Sequence, residues 1–312
     1  MTALNRRRLL TVIAAAGTAL LPGNGRTATV PRWRWRGTAL GARAEIILVH
    51  PDEATAQELI RLAIGEIERL ENIFSLYRPE SEISRLNRDG LLEMPSAEMT
   101  ALMSTARHVS TLTGGAFDVT VQPLWRLHAE HFARPDADPD GPSPAAIAAA
   151  RRLVDYRAMD ISPSMIRFAR PGMGVTLNGI AQGYITDRVA DLLRAHGIEN
   201  TLVDLGEIRT LGSRPDRRPW RVAIEGAPAG PLDLTDRAIA TSSPAGTRFD
   251  RRGQFHHLFD PATGRPSTTK KPVSVIAKRA TFADALSTAL LAMPADRRIT
   301  WQHGRLDVVV VG

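Results

Sequence analysis

Apolar positions along the chain recur with two periods. Ala42 to Val49 is a short, mostly aliphatic run and reads as a strand. Directly after it, Ala56, Leu59, Ile60, Ala63, Ile67, Leu70 and Phe74 fall at the three- and four-residue spacing of one helical face, predicting a helix from just after Pro51-Asp52 to near Asn72. Ser96 to Leu112 repeats that pattern through Met99, Leu102, Met103, Ala106 and Val109, and Gly114-Gly115 stop it. Further helices are predicted from Ser143 to Leu153, from about Ile180 to His196 with Gly197 as the stop, and from Thr281 to Met293, closed by Pro294. Thr201 to Leu205, Trp220 to Ile224, Ala238 to Thr241, Val273 to Ala277 and Leu306 to Val311 read as strands. The elements mix without strict β-α-β alternation. That predicts an α+β (mixed α/β) body rather than a doubly wound parallel sheet. The Pro- and Asp-rich stretch Arg134 to Ser143 reads as a surface loop inside one domain.

The front of the chain follows another rule. Arg6-Arg7-Arg8 precede an uninterrupted apolar run of 13 residues, Leu9 to Leu21, and small residues follow around Thr27-Ala28-Thr29. This is the order of an export signal, and the paired arginines point to the twin-arginine (Tat) route. A membrane span needs about 20 apolar residues, so no permanent anchor is expected. Residues 1–29 are therefore read as a signal and 30–312 as the working body, with a periplasmic destination.

The formal net charge of +7 changes meaning once this segment is set apart. Residues 1–36 carry seven arginines and no acid, which leaves 33 basic and 33 acidic residues in the remainder. A neutral body gives no electrostatic case for a nucleic-acid partner. The chain has no cysteine, which removes thiolate catalysis, disulfides, Cys-ligated metals and a lipid-modified Cys anchor.

Four stretches are dense in Gly, Asp, Thr and His. Phe74 to Asn87 holds several hydroxyls and alone reads as a surface turn. Thr113-Gly114-Gly115-Ala116-Phe117-Asp118 has two glycines that serve either a helix end or a close approach to a ligand. Thr176-Leu177-Asn178-Gly179-Ile180-Ala181-Gln182-Gly183-Tyr184 leads a glycine turn into a helix, a geometry that suits phosphate. The fourth is split between Phe255 to Gly264 and Asp284 to Thr288. Asp284 and Thr288 share one helical face and offer hard oxygen donors of the kind Mg²⁺ takes. Taken alone, that spacing reads first as an exposed Asp and a Thr bonded back to its own helix.

Taken together, T-G-G-A-F-D, G-I-A-x-G-Y-x-x-D-R, H-H-x-x-D-P-x-T-G and A-D-A-L-x-T-A resemble the ApbE family, the FAD:protein FMN transferases, over about residues 36–312. Within it, the export signal and the wording around Asn178 look most like the NosX branch, which serves nitrous oxide respiration. The resemblance implies a single ApbE-like domain that takes FAD as substrate. With Mg²⁺, it would transfer the FMN half to a Ser or Thr hydroxyl of an acceptor protein and release AMP. It implies Asp284, Thr288 and the Gly179 carbonyl as metal ligands. Leu40, Tyr77, Ala116, Phe117, Asp118 and Leu258 would contact FAD, with Thr176 and Gln182 at positions where many members have Asp and Lys. His257 would assist the attacking hydroxyl, with Asp260 available to orient its ring and His256 a strand-end surface residue. The implied acceptor is an FMN-binding protein of NosR type at the membrane. An Mg²⁺-dependent FAD pyrophosphatase and a non-catalytic FAD carrier are the alternatives.

Overall fold

Strand Ala42–Val49 buries both of its faces, and the way it divides its side chains explains the architecture. Ile46 and Leu48 belong to one hydrophobic cluster and Ile47 to another. Side chains along a strand alternate between faces, so this strand lies between two packed layers. The same division recurs at Val203 and Leu202, at Ala240 and Ile239, and at Val275 and Ile276.

A computed structural model of the protein describes residues 10–12, 30–224, 230–294, 297 and 309–311. In chain order the elements are β1 (Leu10–Val12), β2 (Arg32–Ala39), β3 (Ala42–Val49), α1 (Glu53–Phe74), α2 (Glu82–Asp89), β4 (Leu91–Glu93), α3 (Ala97–Leu112), α4 (Gln122–Phe132), α5 (Pro144–Arg151), β5 (Met159–Ile161), β6 (Met165–Phe168), α6 (Ala181–Ala195), β7 (Thr201–Asp204), β8 (Ile208–Leu211), β9 (Trp220–Ile224), β10 (Leu232–Leu234), β11 (Ala238–Ser242), β12 (Phe259–Asp260), β13 (Arg265–Pro266), β14 (Val273–Ala277), α7 (Ala280–Ala292) and β15 (Val309–Val311). Seven strands form one sheet in the order β15-β14-β11-β8-β7-β3-β2, and every pairing in it is antiparallel. Helices α1, α6 and α7 pack on one face of this sheet. The other face meets the small sheet β1-β9-β10 through Trp220, Val222, Ile224 and Leu234. Helices segregated to one side of an antiparallel sheet make an α+β fold.

The predicted elements occur, with ends shifted by a residue or two. Asp52 caps α1 by accepting the Thr55 N–H at 2.8 Å, and Ser96 caps α3 by accepting that of Met99 at 3.1 Å, as short polar caps do. Gly197, at φ 82°, ends α6. Residues 306–308 of the expected last strand lie outside the described residues, as do residues 1–9 and 13–29 of the expected signal; Leu10–Val12 pairs with β9. Among the described residues no helix is long and apolar enough to cross a membrane.

The reading of Phe74 to Asn87 as a surface turn is corrected. Ser81 caps a helix, α2, whose Ile83 and Leu86 are fully buried; two inward residues among charged ones leave too faint a pattern. In β2, arginines alternate with the half-buried Trp33 and Trp35. In α4, His128 and His131 supply part of the inner face, so an apolar tally passes it over.

The helical layer is locked at its centre by Asp187, which is fully buried. Its carboxylate accepts the Ala280 and Thr281 N–H groups, both at 2.9 Å, and the Thr281 hydroxyl at 2.6 Å. It also pairs with Arg209 and, at 3.2 Å, with the Arg279 Nε. A side chain of α6 thus satisfies the free amides that begin α7. Replacing Asp187 by Ala takes from the buried Arg209 its nearer carboxylate, leaving Asp191 at 3.6 Å, and leaves those amides without an acceptor; the expected loss is about 3–5 kcal/mol of stability, read as a lowered urea midpoint. A midpoint within experimental error of the parent would refute this role.

Candidate active site

Beyond the Asp187 contact, α6 and α7 run against each other at Gly183. A methyl group there would lie 2.3 Å from the Ala280 carbonyl oxygen and 2.8 Å from Asp284 Cβ, so only glycine permits this approach. The Gly183 N–H donates to Asp284 Oδ2 at 3.0 Å. One turn earlier, a methyl on Gly179 would lie 2.8 Å from Thr288 Oγ1. Gly179, Asp284 and Thr288, far apart in the chain, are therefore neighbours. The exposed-Asp alternative is excluded, since Asp284 is only 4% accessible. Ser242, at the end of β11, brings its hydroxyl to 3.1 Å from Thr288 Oγ1 and 2.8 Å from Ser287 Oγ.

Among the described residues there is no cluster of three His, Cys, Asp or Glu side chains able to hold a metal. A carboxylate, a hydroxyl and a backbone carbonyl are instead the partial oxygen set that suits Mg²⁺, which keeps waters and substrate oxygens in its shell. The residues present fit that ion.

These groups open onto a cleft enclosing about 1330 Å³, part of it open to solvent. Ala116, Phe117 and Asp118 line it, together with Thr176, Asn178, Gly179, Gln182, His257, Leu258, Asp284 and Thr288. All the expected site residues but two meet here. Leu40 and Tyr77 are not part of this wall, yet they share a corner. Leu40 and Gly41 form the two-residue turn between β2 and β3, both at positive φ (47° and 75°). Leu40 sits in the left-handed region at some cost, and its N–H donates to Glu71 Oε1 at 2.6 Å. The other oxygen of Glu71 binds Arg78, next to the exposed Tyr77.

Asp118 is held rather than free. Its Oδ1 accepts the Thr120 N–H at 2.8 Å and hydroxyl at 2.6 Å, and its Oδ2 accepts the Tyr156 N–H at 3.1 Å. Burial nevertheless outweighs these bonds and raises its pKa to about 6. Gln182 donates to the Leu205 carbonyl at 3.3 Å. Thr176 donates its N–H to Val119 at 2.8 Å, tying the third stretch to the second.

His257 faces the cleft with Nδ1 3.1 Å from the Thr247 carbonyl and 3.2 Å from the Thr247 N–H. Thr247 thus orients the ring. Asp260 does not: its oxygens accept the Ala262 N–H and the Thr263 hydroxyl, closing the turn between β12 and β13. His256 is not on the surface but 1% accessible, with Nε2 3.0 Å from the Ser267 carbonyl. Burial lowers its pKa, so it stays a neutral strut that also accepts the Leu258 N–H. Arg43, Trp125, Glu207, Thr241, Ser242 and Thr247 also line the cleft. Sequence reasoning missed them; the pair Ser242-Ser243 at a strand end was the one local signal.

An antiparallel sheet and its helical layer thus open onto a cleft of oxygen donors and a histidine, the arrangement of an α+β protein with a ligand-sized site. Comparison makes the class specific. The model of the ApbE family matches residues 40–310. The chain is 35% identical over 245 residues to an FAD:protein FMN transferase of Vibrio cholerae, covering 74% of this chain and 72% of that protein. It is 31% identical over 263 residues to one of Treponema pallidum, covering 72% and 71%. Among solved structures, the flavin transferase ApbE from Vibrio cholerae superposes with a TM-score of 0.75 at 30% identity, covering 90% of this chain and 93% of that one. The ApbE protein from Thermotoga maritima does so with 0.79 at 26% identity, covering 90% and 93%. The chain belongs to the ApbE family, and its enzyme class is transferase.

Asp118 sets a pH signature. With a native pKa near 6 against about 3.9 unfolded, the folded protein binds the extra proton between these values. This contribution to stability is full below about pH 4 and is lost as pH rises through 6. Wild type should therefore gain stability relative to Asp118→Asn as pH falls from 7 to 4. Urea midpoints that keep a constant gap across this range would contradict the assignment.

Proposed function

We propose that this protein is an Mg²⁺-dependent FAD:protein FMN transferase, exported to the periplasm, that flavinylates a Ser or Thr of a membrane-bound acceptor and releases AMP. The observation that carries the reading is the convergence of Gly179, Asp284, Thr288 and His257 on one cleft, from three separate segments.

In the reaction, the acceptor hydroxyl oxygen forms a bond to the phosphorus of the FMN half. The bond from that phosphorus to the bridging oxygen breaks, and the electron pair leaves on AMP. The hydroxyl proton needs an acceptor. In the tautomer whose Nδ1–H donates to the Thr247 carbonyl, Nε2 of His257 carries the lone pair for that task. Asp284, Thr288 and the Gly179 carbonyl would hold the metal, which when bound neutralises charge developing on the phosphoryl oxygens. Gly183 N–H keeps the Asp284 carboxylate oriented toward that role. A phosphoester to Ser or Thr requires the cleft to admit an acceptor loop beside the flavin, and its open side allows this.

A defined assay tests the reading. The protein is mixed with FAD, Mg²⁺ and an FMN-binding acceptor domain, and the denatured acceptor is checked for flavin fluorescence. Labelling with stoichiometric AMP is expected. Free FMN and AMP without labelling would make the protein a pyrophosphatase, and intact FAD would make it a carrier. Asp284→Asn retains an oxygen to accept the Gly183 N–H, so it should fold normally and lose at least about 100-fold in turnover. Normal turnover would remove the metal assignment.

The arginines at the front support export by the Tat route, and the acceptor is read as a NosR-type flavoprotein because that signal accompanies a NosX-like sequence. Changing Arg7 and Arg8 to Lys should leave the protein in the cytoplasm on cell fractionation. Continued periplasmic delivery of the double variant would assign the general secretory route instead.

A further inference from the structure

Three carboxylates line the cleft, those of Asp118, Glu207 and Asp284, and among its described lining residues Arg43 is the only arginine or lysine. An acid-lined cleft that takes a diphosphate needs positive charge beyond a single divalent ion. Arg43 is placed to supply it.

It is the second residue of β3, paired across the hairpin with Thr38, and it is exposed. Its neighbours on the hairpin are engaged: Arg34 and Arg36 share Glu45 at 3.4 and 2.8 Å. The Arg43 side chain, in contrast, makes no hydrogen bond or ion pair among the described residues. It is not holding the fold together. The adjacent Ala42 lies against Gly206, where a methyl group would be 3.7 Å from Ala42 Cβ and 2.5 Å from Gln182 Nε2. Gln182 is followed by Gly183, whose N–H holds Asp284. Arg43 lines the same cleft as Asp284, Thr288 and Gln182, the last of which offers an amide but no charge.

We infer that Arg43 is the specificity-determining cation that recognises the diphosphate of the bound dinucleotide. The inference rests on the proposed FAD-dependent function. A guanidinium can present two parallel N–H donors to phosphate oxygens, and an arginine side chain without a partner among the described residues is available to do so without breaking a contact among them. The role predicts discrimination between flavins. FAD carries the diphosphate and riboflavin carries no phosphate, so only FAD gains from Arg43.

The test measures FAD and riboflavin affinities by flavin fluorescence, with Mg²⁺ present, for wild type, Arg43→Gln, Arg43→Lys and the double variant Arg43→Gln/Gln182→Lys. Arg43→Gln should melt like wild type and bind FAD about tenfold more weakly or worse, with riboflavin affinity unchanged. Arg43→Lys should fall between the two. The double variant should recover part of the loss, because Gln182 lines the same cleft. Arg43→Gln that binds FAD as tightly as wild type overturns the inference, as does an equal loss for FAD and riboflavin. Wild type that does not bind FAD at all would instead remove the functional reading on which the inference stands.

Discussion

The site depends on one buried contact, the Asp187 carboxylate of α6 set against the first amides of α7. A helix start leaves N–H groups without partners, and its dipole favours negative charge. Asp187 satisfies both needs while it neutralises Arg209 and Arg279. The contact does no chemistry. It fixes the phase of α7 relative to α6, and that phase decides whether Asp284 and Thr288 meet Gly179 or point elsewhere. Asp284 and Thr288 lie four positions apart on α7, so one rotation of the helix would carry both away together.

The large sheet contributes a different constraint. Because β3, β7, β11 and β14 are buried on both faces, polar groups from them reach the cleft only where strands begin or end. Arg43 lies at the start of β3, and Thr241 and Ser242 at the end of β11. The helices bring the oxygen donors, and the segment after β11 brings His257 held by Thr247. Chemistry is thus gathered along the seam between the layers, where backbone can be irregular and water can enter.

Much of this was legible in the sequence, and the limits are physical. α1 and α3 carried continuous apolar faces with short polar caps, and β3, β9 and β14 were compact aliphatic or aromatic runs; all were read close to their true ends. α2 and α4 were not, because two buried residues or two buried histidines make an inner face without making a hydrophobic pattern. The site showed the same division. Asp284, Thr288 and Gly179 were recognisable from local motifs. Thr247 as the ring's partner was not, because the contact uses its backbone, which any residue would supply. Asp260 was the natural candidate by proximity in sequence, but its oxygens close a turn. Arg43 was counted with neither the signal nor the site; nothing local distinguishes a strand arginine that has a partner from one that does not.

The crowding at Gly183 has a consequence for how such a sequence can change. A single added carbon would push the Ala280 carbonyl and the Asp284 stem away together, so the helix spacing and the carboxylate's position are one variable rather than two. No series of small side-chain replacements leads away from glycine by degrees, since alanine is already past the limit. Variation in substrate or acceptor preference must therefore enter through the strand ends and loops on the open side, while the helix crossing can only be kept or abandoned whole.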